Sequence, residues 1–187
     1  MRLFTKIIYS LGVIILLNGC TTISDQDLIA GRSATATLKN CTASGKIAIK
    51  DRKQRLSSMF YVDLKAPSFE LTLTGLTGST LFRLTSTPDG ATILDDKANL
   101  YRGTDADALV TKLTGLKIPA SNLPNIMRGF PDNSELAQKQ LTDTVTYGDY
   151  IISYDAYTKV GTYTLPQKIT ITGTDLKIRI NISQWVL

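Results

Sequence analysis

From Gly45 to the C-terminus, apolar side chains return at every second position in one segment after another. This period of two constrains the fold more than any other feature. Ile47 and Ile49 alternate with Lys46, Ala48 and Lys50, and Phe69, Leu71 and Leu73 alternate with Glu70, Thr72 and Thr74. In the closing stretch Leu176, Ile178, Ile180 and Ile182 face one way while Lys177 and Arg179 face the other. Alternation of this kind marks half-buried antiparallel strands. Strands are predicted over 45–50, 59–62, 69–74, 81–85, 91–95, 99–102, 142–147, 150–154, 167–172 and 176–186. Turns fall at Gly75-Leu76-Thr77-Gly78, Pro88-Asp89-Gly90 and Gly173-Thr174-Asp175.

The period changes at Thr104. Ala106, Leu109, Val110 and Leu113 stand at i, i+3, i+4 and i+7, Thr104 with Asp107 resembles a capping box, and Gly115 lies where a helix would stop. A shorter helix is predicted over Ser121 to Arg128, stopped by Gly129 and Pro131, and a weak one over Asp25 to Leu38. So many antiparallel strands with so few helices are expected to make a mainly β, α+β fold, a strongly curved sheet or barrel, because curling protects sheet edges. Helices interrupting the meander are expected to cover its mouth as a lid, an architecture suited to holding a ligand.

Ahead of this domain stands MRLFTKIIYSLGVIILLNGC, with cations at Arg2 and Lys6, an apolar run from Ile7 to Leu17, and a cysteine after small or polar residues. It reads as a secretion signal over 1–19. Leu17-Asn18-Gly19-Cys20 resembles the bacterial lipobox, which implies lipidation of Cys20 and cleavage before it. The competing reading is an uncleaved anchor over Leu3 to Leu17, but that run falls short of the ~20 apolar residues a spanning helix needs. Thr21 follows the cysteine in place of an aspartate, which by resemblance to the Gram-negative sorting rule favours the outer membrane, facing the periplasm. The expected organisation is a signal over 1–19, a lipidated tether over 20–27, and one domain over 28–187.

The chain carries 21 Lys+Arg against 16 Asp+Glu and no histidine. Two of those cations belong to the signal, so the mature excess is small and nothing points to nucleic acid. The densest basic run, Lys50 to Arg55 (KDRKQR), suits a turn between strands at least as well as a ligand site. With Cys20 consumed by lipid, Cys41 has no partner in the chain and is expected to be a buried lone thiol. The missing histidine removes the commonest general base and metal ligand. Asp95-Asp96 and Asp105-Asp107 sit at a turn and a helix start, where acids have structural uses, and neither S-x-x-K nor G-x-S-x-G occurs. No catalytic site, cofactor or metal is expected. What remains is a surplus of apolar side chains: Ile47, Ile49, Phe60, Phe69, Leu71, Leu73, Leu109, Leu113, Ile126, Met127, Ile152, Ile178 and Ile180. They either pack a closed core or, in part, line a cavity for acyl chains.

The order of motifs resembles the LolB family of outer-membrane lipoproteins. Leu71 to Thr80 (LTLTGLTGST) is similar to the family's L-x-L-T-N-P-L-G-S-T loop. Leu113 to Pro119 (LTGLKIP), with Leu123 and Met127-Arg128-Gly129-Phe130-Pro131, is similar to L-T-G-x-x-I-P and the short helix after it. Tyr150 to Tyr157, Leu165-Pro166 and Ile178 to Trp185 resemble the closing strands. The resemblance implies a half-open, LolA/LolB-like β-barrel with a helical lid. Its apolar interior would receive lipidated cargo from the periplasmic carrier LolA for insertion into outer-membrane lipid. It also implies that a leucine on the protruding loop before G-S-T helps place cargo in the membrane; here Thr77 holds that position in strict register and Leu76 precedes it. Tyr61 and Tyr150 stand where tryptophans are frequent. The alternatives are an envelope structural or assembly lipoprotein with a closed core, and a carrier of free lipid. Nothing in the chain demands more than a monomer.

Overall fold

The alternating segments pair into one antiparallel sheet of ten strands, ordered β6-β5-β4-β3-β2-β1-β10-β9-β8-β7. The computed structural model describes residues 25–75, 77–131 and 144–187. The strands are β1 (Asn40–Lys50), β2 (Arg55–Lys65), β3 (Ser68–Thr74), β4 (Thr80–Thr87), β5 (Gly90–Asp95), β6 (Leu100–Gly103), β7 (Thr144–Tyr147), β8 (Tyr150–Val160), β9 (Tyr163–Thr172) and β10 (Lys177–Val186). The helices are α1 (Asp25–Ala36), α2 (Ala106–Thr114) and α3 (Leu123–Arg128). β6 and β7 do not pair with each other, so the curved sheet stays open. α2 packs on β4, β5 and β6 while α3 packs on β9, so the helical segment reaches from one half of the sheet to the other.

One face of each strand is apolar and turned inward. Val62 and Leu64, Leu71 and Leu73, Leu84, Ile93, Ile152, Ile169 and Ile171, and Ile178, Ile180 and Ile182 are all buried. Each side chain of this size contributes about 1.5–3 kcal/mol when fully removed from water. The fold expected from alternation, a mainly β curved sheet with a helical cover, is the one observed.

Several boundaries differ from the sequence expectation, each for a local reason. β1 begins at Asn40 and not at Gly45, because its first inward residues, Cys41 and Ala43, are too small to advertise a strand. β8 and β9 run on past Tyr154 and back before Gln167 as a hairpin pairing Tyr157 with Pro166 and Val160 with Tyr163. Irregularities on both sides of Ala156 shift the phase there, which hides the alternation. Asp105, not Thr104, caps α2: its carboxylate accepts from the Ala108 N–H at 2.7 Å, while Asp107 accepts from the Ser121 N–H. α3 starts at Leu123, leaving Ser121 and Asn122 in the preceding turn. α1 starts at Asp25, as the weak helix was expected to, and ends at Ala36, two residues before Leu38.

β9 parts from β10 beyond Lys168 and Asn181, where their register ends. Side chains take over the backbone groups left there. The Thr35 hydroxyl of α1 donates to the Thr164 carbonyl (2.9 Å) and accepts from the Thr164 N–H (3.0 Å), and the Trp185 indole donates to the Pro166 carbonyl. Pro166 fits here because a residue without an N–H loses nothing where the ladder is interrupted.

Gly45 sits at the β1–β10 irregularity, and a Cβ there would run into the Asn181 carbonyl. Gly45→Ala is therefore expected to cost about 1–3 kcal/mol by overpacking, a melting-temperature drop of about 2–4 °C per kcal/mol. Gly75→Ala, whose Cβ would meet nothing nearer than 3.5 Å, should leave the transition unchanged. Burial pushes the free Cys41 thiol up to about 11 from an ordinary value of 9.0. Its neutral form is favoured in the folded state, so its contribution to stability is complete below pH 9 and is lost as pH rises toward 11. A thiol reagent at pH 8 should label Cys41 only on unfolding.

Candidate functional site

Between the sheet and the α2–α3 segment lies an apolar cavity of about 50 Å³. The barrel wall supplies Ile47 and Ile49 from β1, Leu71 and Leu73 from β3, Phe82 and Leu84 from β4, Ile171 from β9, and Ile178 and Ile180 from β10. The cover supplies Val110 from α2, Ile118, Pro119 and Ala120 from the loop, and Leu123 from α3. No lining side chain is charged or able to form a hydrogen bond. Such a surface discriminates for hydrocarbon and against water. Ligand pockets occupy roughly 300–1,000 Å³, so in this closed form the cavity admits only a small part of an acyl chain.

The structure brings Ile47, Ile49, Leu71, Leu73, Ile178 and Ile180 together on the cavity wall. Phe60, Phe69, Leu109, Ile126, Met127 and Ile152 are buried in the core around it. Leu113 departs from the expectation: it is 36% exposed and borders an open depression beside β4 and β6. α2 buries Ala106, Leu109 and Val110, and its last turn swings Leu113 clear of the interior before Gly115 ends the helix. Sequence reasoning missed Phe82, Leu84, Ile171, Val110, Leu123 and the Ile118-Pro119-Ala120 stretch as lining residues. Alternation within β4 and β9 carried the signal for the first three. Cys20 and Leu76 lie outside the described residues. Thr77 is exposed on a loop closed by bonds from the Gly75 N–H to the Ser79 carbonyl (2.8 Å) and from the Gly78 N–H to the Gly75 carbonyl (2.9 Å).

A small set of polar contacts holds the cover down. Arg32 of α1 is fully buried, and its guanidinium lies 3.9 Å from the ring centre of Phe130. It donates to the Arg128 and Gly129 carbonyls, each at 2.7 Å, at the C-terminal end of α3. Arg128 returns the contact by donating to the Leu38 carbonyl, just after α1. The Tyr154 hydroxyl donates to the Ile126 carbonyl and the Tyr150 hydroxyl to the Lys117 carbonyl, both at 3.0 Å. Four carbonyls of the α2–α3 segment are thus gripped by side chains from α1 and β8. Burial draws both guanidinia below their ordinary value. Nothing in the sequence marked Arg32, a lone cation in a helix of small residues.

The acidic pairs are structural. Asp95 accepts from the N–H groups of Lys97 and Asn99, the Asn99 amide and the Tyr101 hydroxyl, and the bonds from Asn99 lead in holding its carboxyl below the ordinary range. Among the described residues no three His, Cys, Asp or Glu side chains come together as a metal site, and no helix is long and apolar enough to cross a membrane.

Arg32→Met keeps the stem and removes the fork, leaving two buried carbonyls unpaired. The expected cost is about 2–4 kcal/mol, with hydrogen exchange in α3 accelerating before the sheet is affected. Arg32→Lys should restore only part, since an ammonium cannot both bridge two carbonyls and stack flat on Phe130.

A sequence profile described as "Outer membrane lipoprotein LolB" matches residues 39–185. Outer-membrane lipoprotein LolB of Aeromonas salmonicida is 32% identical to the chain, covering 100% of it and 99% of the relative. The protein of the same name from Aeromonas hydrophila is 31% identical over 100% of the chain and 97% of the relative. The crystal structure of a LolA superfamily protein from Nitrosomonas europaea superposes with a TM-score of 0.50 at 8% identity, over 88% of the chain and 94% of that protein, which speaks for the fold alone. With the profile covering nearly all of the sheet and relatives of this similarity spanning the whole length, the chain belongs to the LolB family of outer-membrane lipoproteins.

Proposed function

We propose that this chain is a receptor anchored in the outer membrane that accepts lipidated proteins from the periplasmic carrier LolA and passes them into the membrane. The observation that carries this reading is the cavity wall, in which every side chain is hydrocarbon. An acyl chain exposed to water costs about 0.8 kcal/mol per methylene, so a chain of sixteen carbons would face roughly 13 kcal/mol in solution. A direct path from one apolar interior to another removes that barrier. The process needs no nucleotide and no catalytic group if the receiver binds more tightly than the donor, so the protein is read as a binding protein and not an enzyme.

Cargo enters by displacing the segment from Leu116 to Leu123, since the closed volume is too small for a chain. That segment is tied by the Tyr150 bond to Lys117, by the Ser121 N–H to Asp107 and by the Asn122 amide to the Pro131 carbonyl, and α3 beyond it is held by Arg32 and Tyr154, while Ile118, Pro119, Ala120 and Leu123 meet the barrel wall through hydrocarbon. Leu76 and Thr77, on the β3–β4 loop, form the tip that meets the bilayer during release. A second reading, an envelope-assembly lipoprotein with a filled barrel, draws on the small size of the cavity; a free-lipid carrier would use the same wall.

The test is transfer in solution. The chain from residue 20 onward with Cys20→Ser should strip a lipidated protein from LolA without membranes present. Absence of transfer would remove the receptor reading, and a copurifying free lipid that blocks transfer would favour the carrier of free lipid. Leu76→Glu should leave this transfer intact while reducing insertion of cargo into vesicles several-fold; unchanged insertion would show that the loop is not the membrane tip.

A further inference from the structure

The basic run at Lys50 to Arg55 is left unused by the function proposed above, and the fold gives it company. Lys50 stands in register with Arg55 on β2 and with Lys177 on β10, and its neighbour Ala48 pairs with Arg179. Lys46 and Lys168 extend the array along β1 and β9. All six cations are exposed on the outward face of four adjacent strands, and no Asp or Glu shares that face between Arg55 and Tyr61, Lys46 and Lys50, Lys177 and Asn181, or Lys168 and Thr172. None takes part in a salt bridge among the described residues. The nearest outward acid on the β8 side is Asp155, engaged by the Thr170 hydroxyl. Asp51, Asp149 and Asp175 gather at the same pole, but around a separate cleft shared with Lys117 on the side of the cover.

Like charges facing one another across strands are destabilising. A Lys flanked by Arg55 and Lys177 is therefore a cost that packing does not explain, and a dense anionic partner would relieve it. Lys50, Arg55, Lys177 and Arg179 border a depression of about 620 Å³, with Leu56 exposed at its edge and Met59 and Tyr61 exposed further along β2. Cations interleaved with apolar and aromatic side chains suit the interface of a bilayer, where the charges meet phosphates and the stems and rings sit among headgroups. The pole also carries the β3–β4 loop: the Ser58 hydroxyl of β2 donates to the Thr74 carbonyl at the foot of that loop.

We infer that the outward face of β2, β1, β10 and β9 is a docking surface for the headgroups of anionic phospholipid, which presents this pole and its loop to the bilayer. The inference rests on the reading of the β3–β4 loop as the membrane-facing tip. A bilayer is favoured over an acidic protein because the protein is lipid-anchored and the leash is short. From Cys20 to the first residue of α1 at Asp25 the chain spans at most about 18 Å; α1 packs on β9 near Thr164, at the other end of the strands from Lys50 and Lys177, so the anchor holds the barrel beside the bilayer and reinforces even weak contacts by proximity.

The experiment uses the chain from residue 20 onward with Cys20→Ser, floated with vesicles of phosphatidylethanolamine with or without phosphatidylglycerol. Binding should require phosphatidylglycerol and fall at high salt. Each cation near an anionic surface contributes about fivefold in affinity, so Lys50→Glu with Arg179→Glu should lose at least about twentyfold. Lys39→Glu with Lys112→Glu, which changes the net charge equally elsewhere, should lose far less. Lys50→Glu alone should raise the melting temperature by about 1–4 °C, because it converts two like-charge neighbours into opposite ones. Equal losses for the two pairs, or binding that ignores phosphatidylglycerol, would overturn the inference. Membrane-free transfer from LolA should proceed normally in the Lys50/Arg179 pair; its loss there would assign the face to a protein partner and overturn the inference too. Failure of the unmutated protein to accept cargo, with vesicle binding intact and face-dependent, would instead sink only the receptor reading.

Discussion

An antiparallel sheet that curls but does not close has an apolar concave face that its own strands cannot cover. Everything else in this molecule answers that constraint. Among the described residues β6 and β7 have no strand on their outer edges, and α2, the 115–122 loop and α3 cover the concavity between them. Between its polar ties the cover meets the sheet through hydrocarbon surfaces, the part of such a fold that exchanges most readily for another hydrocarbon. Under the function proposed above, the geometry that completes the core is also the place where an acyl chain would compete with the protein's own side chains.

The polar contacts around the cover give that competition a boundary. Arg32, Arg128 and Tyr154 meet at the C-terminal end of α3, and Arg32 also connects this end to α1. Helix α1, the sheet and the cover thus share one buried cluster. Movement of the loop between Leu116 and Leu123 leaves this cluster in place, whereas displacement of α3 must break bonds from a buried guanidinium to carbonyls that have no solvent to replace them.

The sheet was legible in the sequence wherever large aliphatic residues alternate, as in β3 and β10. It was illegible where small residues face inward, as at Cys41 and Ala43, or where an irregularity shifts the phase, as at Ala156. Six of the fourteen residues lining the cavity were read from alternation of this kind in β1, β3 and β10. Leu113 was misplaced because an apolar stripe at helical spacing does not say where the helix leaves the body of the protein. Arg32 was invisible because its partners are backbone carbonyls nearly a hundred residues away. The volume enclosed is a property of how the cover settles, which no pattern of residue types records. The basic run at Lys50 became informative only when register placed Arg55 and Lys177 on either side of it.

The central claim is that cargo hydrocarbon replaces the cover's contacts inside the barrel. A photoreactive amino acid placed at Leu123, on the cavity wall, or at Leu113, on the open side of α2, tests it directly when the protein is loaded with a lipidated protein and illuminated. The account predicts crosslinks to the acyl chains from position 123 and few or none from 113. Equal crosslinking from both positions, or none from 123 in a protein that retains cargo, would contradict it.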